Sequence, residues 1–511
     1  MKYLSISFFI LCLFGLLSNI SAQSTITVTE KNATDSTHVP PEIKSVTKHS
    51  ITVGGKVINY TATAGALILK NEKDESVALY GYTAYTKDGE TDATKRPITF
   101  SYNGGPGSSS MWLHIGVMGP RRVVVNDPEN APQPPYKMED NPFTLLDVSD
   151  IVMVDPVGTG LSHAVAKAKN KDFWGVEQDI KSVSWFIKQY INSNDRWNSP
   201  KFLLGESYGT MRSAGVVNYL QENLGISING VVLVSSVLDL RSLSFLDGDD
   251  ASYIMHLPTY AATAWFHNKI PNKPTLETFL KNARAFTIDE YSPALMKGDQ
   301  LSESEKASVL NKLSYFSGLS LAYLSKGNLR IKEPQFTEEL LREEHQTVGR
   351  LDARFKNINQ NLLSETSSFD PQSSAISSPF TAMFMNYYYN ELKVDKANNY
   401  HTNAYTAEGF NWDWKRAKTE DYPASPNTAI DLAQAMSRNP QLKILVINGY
   451  YDLATPFFGS EYTFDHLGIE KKLKQNISFK YYEAGHMMYI HPASAILFKK
   501  DIANFMAESL K

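Results

Sequence analysis

The chain of 511 residues holds one cysteine, Cys12, and that cysteine sits in an apolar stretch at the N-terminus. An internal disulfide is therefore excluded, and so is a thiolate metal site. Charge of one sign is also missing: Lys+Arg 50 against Asp+Glu 54 leaves a formal net charge of −4. Without a basic field there is nothing to hold a polyanion, so no nucleic-acid partner is expected. Beyond the N-terminus no apolar run approaches the ~20 residues that span a bilayer. The histidines are scattered, with no His-x-x-x-His pair, and neither a metal nor an organic cofactor is called for.

What the N-terminus does have is a pattern of export. Lys2 supplies a positive start, Ile6 to Leu17 is mostly apolar, and Ser18 to Gln23 offers small residues around Ala22. Residues 1–22 read as a signal peptide cleaved near Ala22, which takes Cys12 with it and leaves no membrane insertion behind. Residues 23–41, rich in Thr, Ser and charge, read as a flexible leader. The expected location is periplasmic or extracellular, and an exported chain without cysteine fits a bacterial envelope.

The folded part opens with a β pattern. Ile51 to Asn59 reads as two short strands around Gly54-Gly55, and Ala64 to Tyr85 as further strands with a turn near Asn71 to Glu75. From Pro97 short, continuous apolar runs alternate with amphipathic stretches, which predicts a parallel sheet covered on both faces. The runs are Ile98 to Tyr102, Ile151 to Val154, Lys201 to Leu204 and Val231 to Val234. A helix over about Val176 to Asn192 places Ile180, Val183, Ile187 and Tyr190 on one face. Helix-like segments and polar loops then fill Leu240 to about Asn427. Strands resume at Leu442 to Ile447 and Ile477 to Tyr482, before a last helix from Pro492. The organisation is one α/β domain interrupted by a helical insertion.

Lys201 to Leu204 runs into Gly205-Glu206-Ser207-Tyr208-Gly209, and a helical pattern follows. This is G-x-S-x-G between a strand and a helix, the context in which the serine is raised on a strained turn at a helix N-terminus. A serine hydroxyl needs a base to take its proton, and the base needs a third group to fix its tautomer. Each would stand on a loop after a later strand. Asp452 follows the strand Leu442 to Ile447, and His486, preceded by Gly485, follows Ile477 to Tyr482. The competing residues are His466, His491 and Asp465, of which His491 is placed at the edge of the last helix and Asp465 within a helix. Acyl transfer also needs two donors for the tetrahedral oxygen. The Tyr208 N–H is one, and the glycine-rich loop Asn103-Gly104-Gly105-Pro106-Gly107 is the place for the other.

Four stretches in order, Asn103-Gly104-Gly105-Pro106-Gly107-Ser108-Ser109, Asp155-Pro156-Val157-Gly158-Thr159-Gly160-Leu161-Ser162, Gly205-Glu206-Ser207-Tyr208-Gly209 and Gly485-His486-Met487, resemble the signatures of the serine carboxypeptidase family, as a bacterial-type secreted member. The resemblance implies an α/β-hydrolase fold, an α/β architecture with a mostly parallel central sheet flanked by helices and a helical cap insertion. It divides the chain into core segments 42–239 and 428–511 around a cap at 240–427. It implies removal of C-terminal residues from peptides with a free C-terminus, through an acyl-enzyme on Ser207. By the same resemblance Gly105 and Tyr208 supply the oxyanion hole, and Asn103, Gly104 and Glu206 hold the substrate carboxylate. A buried Glu206 beside that carboxylate would share a proton with it, favouring acid pH.

Two positions depart from the family pattern. Val117 stands where eukaryotic members carry a second glutamate, with His114 and Arg121 as nearby polar groups, and Ser108 replaces a disulfide-forming cysteine. The alternatives are an esterase on the same scaffold, which has no need of the Asn103 and Glu206 pair, an acyltransferase, from which water access to the acyl-enzyme discriminates, and a non-catalytic binding protein, against which the complete triad stands. Trp412-Asp413-Trp414 and Phe384 to Tyr389 are expected to pack the core of the insertion.

Overall fold

A computed structural model describes residues 38–125, 127–128, 133–416 and 425–511. The expected signal at 1–22 and most of the leader at 23–41 lie outside the described residues. Two long strands come first, β1 (Ile43–Val53) and β2 (Lys56–Lys70), paired from Ile43 opposite Ala66 to Val53 opposite Lys56. Gly54 and Gly55 turn the hairpin with φ of 56° and 76°, the positive values that a two-residue turn between twisted strands requires. β3 (Ser76–Lys87) returns antiparallel to β2. The sequence reading placed shorter strands here. β1 in fact begins at Ile43 and β2 continues unbroken through Thr61 to Ala64, because β1 packs one face only and its Lys and Thr positions dilute the apolar signal.

The remaining strands of the main sheet are β4 (Ile98–Tyr102), β5 (Asp150–Asp155), β6 (Lys201–Glu206), β7 (Gly230–Val234), β8 (Lys443–Gly449) and β9 (Ile477–Tyr482). Their order is β1-β2-β3-β5-β4-β6-β7-β8-β9, with a two-residue strand at His163–Ala164 added to β3. The first three strands and the β3–β5 pair are antiparallel, and every pairing from β5 to β9 is parallel. This is the mostly parallel, helix-flanked sheet of the α/β-hydrolase fold. Strands β4 to β7 are buried at every residue, which is why they read as unbroken apolar runs.

Alternate side chains feed two cores. Leu203 points into one with Ile180, Val183 and Leu220 from α1 (Val176–Ser193) and α2 (Tyr208–Leu224). Phe202 and Leu204 point into the other. Between β7 and β8 the chain forms helices including α3 (Ala251–Phe266) and α4 (Pro371–Asn386), and a two-stranded sheet of Gln346–Val348 with Lys356–Ile358. A third core built from this stretch, with Tyr260, Phe279 and Phe336, also takes in Tyr451, Leu453 and Phe457 from beyond β8. This stretch is thus packed onto the loop that follows β8. Of the later helices, α5 (Ala429–Arg438) joins the Leu203 side and α6 (Pro492–Ser509) the Phe202 side.

The entry to β5 carries a buried ion cluster. Asp150, 2% exposed, accepts hydrogen bonds from Arg96 Nε at 2.9 Å, Arg196 Nη1 at 2.6 Å and the Lys87 N–H at 3.0 Å. Segments leading into β4 and β6 are thereby tied to one carboxylate. Asp150→Asn leaves two buried guanidinium groups without their charge partner and should lower unfolding free energy by about 3–5 kcal/mol. Urea denaturation reads this, and a midpoint equal to wild type would contradict it.

Candidate active site

β6 ends at Glu206 and α2 begins at Tyr208, so Ser207 must turn the chain within one residue. It does so at φ 61° and ψ −130°, a conformation that costs a non-glycine residue on the order of 1–3 kcal/mol. Its N–H is donated to the Val234 carbonyl of β7 at 2.9 Å, which pins the backbone. The loop after β4 presses against this turn: a Cβ on Gly104 would lie 2.5 Å from Tyr208 N, so only glycine fits. Ser207 lines a cavity of about 460 Å³ together with Gly104, Gly105, Tyr208 and His486.

His486 and Asp452 arrive from the adjacent strands β9 and β8. His486 Nδ1 lies 2.8 Å from Asp452 Oδ2, with side-chain exposures of 7% and 0%. Asp452 Oδ1 accepts the Ala454 and Thr455 N–H groups, both at 2.9 Å, and Oδ2 accepts the Thr455 hydroxyl at 2.6 Å. The carboxylate is therefore locked in orientation. The hydrogen-bond contacts of the His486 ring all lie at Nδ1, with Asp452 and at 3.2 Å with Thr455 Oγ1. Among the described residues Nε2 has no hydrogen-bond partner. Burial alone would lower the His486 pKa, but the charge and hydrogen bond of Asp452, with Glu206 adding to them, carry it above its ordinary value.

None of the competing residues lines this cavity. Asp465 ends a helix at Phe457–Asp465, His466 is stacked on Tyr462, and His491 Nδ1 bonds Ser494 Oγ at 2.8 Å. Gly105 and Tyr208 both line it, and among the described residues neither of their N–H groups is donated to a protein acceptor.

Beside Ser207 lies a buried polar pair. Asn103 Oδ1 accepts the Leu113 N–H at 3.0 Å, which obliges its amide nitrogen to face Glu206 Oε1, also at 3.0 Å. The Asn103 carbonyl accepts Arg212 Nη1 at 2.6 Å, and Arg212 is neutralised by Asp179 at 2.7 Å, with neither side chain more than 1% exposed. Glu206 is 3% exposed, and its Oε2 is buried without a hydrogen bond. Burial pushes the Glu206 carboxyl up to about 7, against the partial pull of the nearby His486 charge. The Tyr489 hydroxyl is buried beside Glu206 and Asn103, and its proximity offsets part of the effect of burial on the Glu206 carboxyl.

The polar groups near Val117 do not reach the cavity. Val117 is fully buried, and His114 Nε2 lies 2.5 Å from the Tyr85 hydroxyl, with burial lowering its pKa to about 3. Arg121 pairs with Asp140 at 2.6 Å and with Glu391 at 3.3 Å. Neither lines the cavity, so neither stands in for the family's second glutamate. The aromatic stretches divide: Phe384, Tyr387 and Tyr388 are core, and Trp412 packs on Tyr208, but Trp414 is 39% exposed and forms part of the cavity wall. Sequence reasoning missed Trp112, Arg350, Leu351, Ile376 and Thr455, which also line it. They come from loops and helices without a motif, and Thr455 alone was reachable, as a hydroxyl three residues after Asp452.

A family model described as serine carboxypeptidase matches residues 57–490. The chain is 30% identical over 129 residues to serine carboxypeptidase-like 20 of Arabidopsis thaliana, an alignment spanning 24% of each protein, so it covers about a quarter of that curated relative. Among solved structures it resembles Kex1Δp, a prohormone-processing carboxypeptidase from Saccharomyces cerevisiae, with a TM-score of 0.53 and 16% identity over 88% of this chain and 92% of the other. That likeness bears on the fold.

The electrostatics of His486 can be measured directly. Its ring should titrate above the ordinary histidine range in the wild-type protein. Asp452→Asn removes the largest attraction opposing burial, so the pKa should fall. Histidine-selective NMR over a pH series checks this, and an unchanged titration would contradict the assigned cause.

Proposed function

The chain belongs to the serine carboxypeptidase family, and from that premise we propose that it hydrolyses peptides at their free C-terminus, with Ser207 as nucleophile. The observation that carries the reading is the buried Asn103 and Glu206 pair beside Ser207. An esterase has no use for a proton-bearing carboxyl at that position, whereas a substrate ending in a carboxylate does.

In the reaction His486 Nε2 takes the Ser207 proton as the hydroxyl oxygen attacks the scissile carbonyl. Asp452 holds the tautomer with the proton on Nδ1 and stabilises the imidazolium. The oxyanion receives the Gly105 and Tyr208 N–H groups, each worth on the order of 3 kcal/mol in the transition state. The imidazolium then protonates the departing amine, which leaves as the C-terminal amino acid. Water, deprotonated by the same imidazole, hydrolyses the ester on Ser207 and restores the hydroxyl. Asn103 and the Gly104 N–H donate to the terminal carboxylate, and protonated Glu206 donates from Oε2. The stretch 240–427 acts as a cap, contributing Arg350, Ile376 and Tyr405 to the cavity wall. The export pattern at 1–22 adds the proposal that the enzyme works in the periplasm or outside the cell.

Two outcomes test this. A peptide with a free C-terminus should be cleaved with kcat/KM at least about a hundredfold above its C-terminal amide, since the amide leaves the buried clamp unmatched. Ser207→Ala should reduce kcat by about a thousandfold or more at unchanged thermal stability. Equal rates on acid and amide would remove the exopeptidase claim, and an active Ser207→Ala would remove the nucleophile. The pH dependence follows from Glu206. Below about pH 7 it is protonated and donates; above that it is ionised and repels the substrate carboxylate. KM should therefore rise as pH increases through 7, and Glu206→Gln should flatten that rise, while a wild-type-like profile in the variant would contradict the role.

A further inference from the structure

Residues 349–355, in the stretch between β7 and β8, touch both loops that carry the acid and the base. On the acid side the Ala353 N–H is donated to the Tyr451 carbonyl at 2.9 Å, and the Leu453 N–H to the Arg350 carbonyl at 3.1 Å, so Asp452 is bracketed. On the base side the His486 N–H is donated to the Leu351 carbonyl at 2.7 Å. The Gly485 N–H is donated to Asp352 Oδ2 at 2.9 Å. A Cβ on Gly485 would land inside the contact distance of Asp352 Cα, Cβ and Cγ, so the histidine loop lies directly on this side chain.

Asp352 is itself rigidly held. It is fully buried and accepts the Arg354 N–H at 3.0 Å and Arg354 Nη2 at 2.6 Å. Arg354 Nη2 also reaches Asp127 Oδ1 at 2.7 Å, which anchors the segment to a distant part of the chain. Asp370 Oδ2 accepts the Arg350 and Leu351 N–H groups at 2.7 and 3.1 Å, while its Oδ1 accepts the Ser373 N–H and so caps α4. One short segment thus sets the separation of two loops that come from different strands, and a buried carboxylate fixed by a guanidinium is its stiffest point.

We propose that Asp352, oriented by Arg354, is a positioning residue for the reaction: it holds Gly485 so that the His486 imidazole stays aligned between Asp452 and Ser207. The proposal rests on the triad reading above. Its action is on the chemical step, because a small displacement of a base from its proton is expensive in rate while the carboxylate clamp, on the loop after β4 and at the end of β6, is untouched.

The test is steady-state kinetics of the full chain on a free-acid peptide. Asp352→Asn should lower kcat about tenfold or more with KM within about twofold. It should also move the acid limb of the kcat profile to lower pH, since an imidazole less firmly held against Asp452 loses its proton more easily. The charged groups that act most strongly on His486 are Asp452, Glu206 and Arg350, which the substitution leaves in place, while the buried Asp352 charge beside Gly485 is itself lost. Asp127→Asn is the control: it also takes a carboxylate from Arg354 without touching Gly485, and should leave kcat and the acid limb near wild type whatever it does to thermal stability. Equal kcat losses in the two variants, or a wild-type kcat and pH profile in Asp352→Asn, would overturn the proposal. If Asp352→Asn cannot be obtained folded, Arg354→Lys loosens the anchor while keeping the Gly485 bond. It should lower kcat at least about threefold at constant KM, and an unchanged kcat would again overturn the proposal. His486→Ala run alongside separates the two readings, because an active His486→Ala defeats the triad itself, whereas an inactive one beside a fully active Asp352→Asn defeats only the positioning role.

Discussion

One backbone turn governs the arrangement of this site. Ser207 takes a left-handed conformation between the last residue of β6 and the first of α2, and the strain is sustained because its N–H is bound to β7 and the loop after β4 is packed against it. That single constraint raises the hydroxyl above the sheet and puts the Tyr208 N–H at the head of a helix. It brings Glu206 to face Asn103. A residue able to relax to an ordinary conformation would lose all of these at once.

Around that turn the protein pairs nearly every charge it has buried. Asp452 has four hydrogen-bond donors, Arg212 is neutralised by Asp179, and Asp352 is matched to Arg354. The conspicuous exception is Glu206 Oε2, buried without a hydrogen bond. A carboxyl oxygen left unmatched in a low-dielectric site is costly unless it carries a proton or meets a ligand. The same burial strengthens the attraction between His486 and Asp452, so the proposed base and the proposed carboxylate clamp draw on one physical resource. Because Glu206 and His486 also feel each other, the two protonation states are linked, and in the proposed reaction substrate binding and proton abstraction would respond to pH together.

Much of the fold was legible because the central strands are buried on both faces and therefore write themselves as short apolar runs ending at polar motifs. β9 and the start of α6 stand where the sequence reading placed them, at Ile477–Tyr482 and Pro492. β1 was read too short because an edge strand wetted on one side alternates with lysine and threonine. Ser207, Asp452 and His486 could be named together because each closely follows a strand, and the structure brings the latter two into contact and all three to one cavity wall or its support. Asp352, Arg350 and Trp414 could not be named in this way. They lie in a stretch whose helices and loops pack by shape, and nothing in the order of residues announces that 349–355 would fold back onto two loops roughly a hundred or more positions further along. His114 shows the opposite error: a polar residue close in sequence to Val117 is committed to Tyr85 and stays neutral.

The proposed reaction turns on activation of the Ser207 hydroxyl by His486. Incubation of the wild-type protein with a fluorophosphonate, followed by peptide mapping in a mass spectrometer, addresses it without any assumption about substrate. A single adduct is expected, on Ser207, with its formation abolished by His486→Ala. An adduct on another residue, none at all, or labelling of Ser207 that is indifferent to His486 would contradict it.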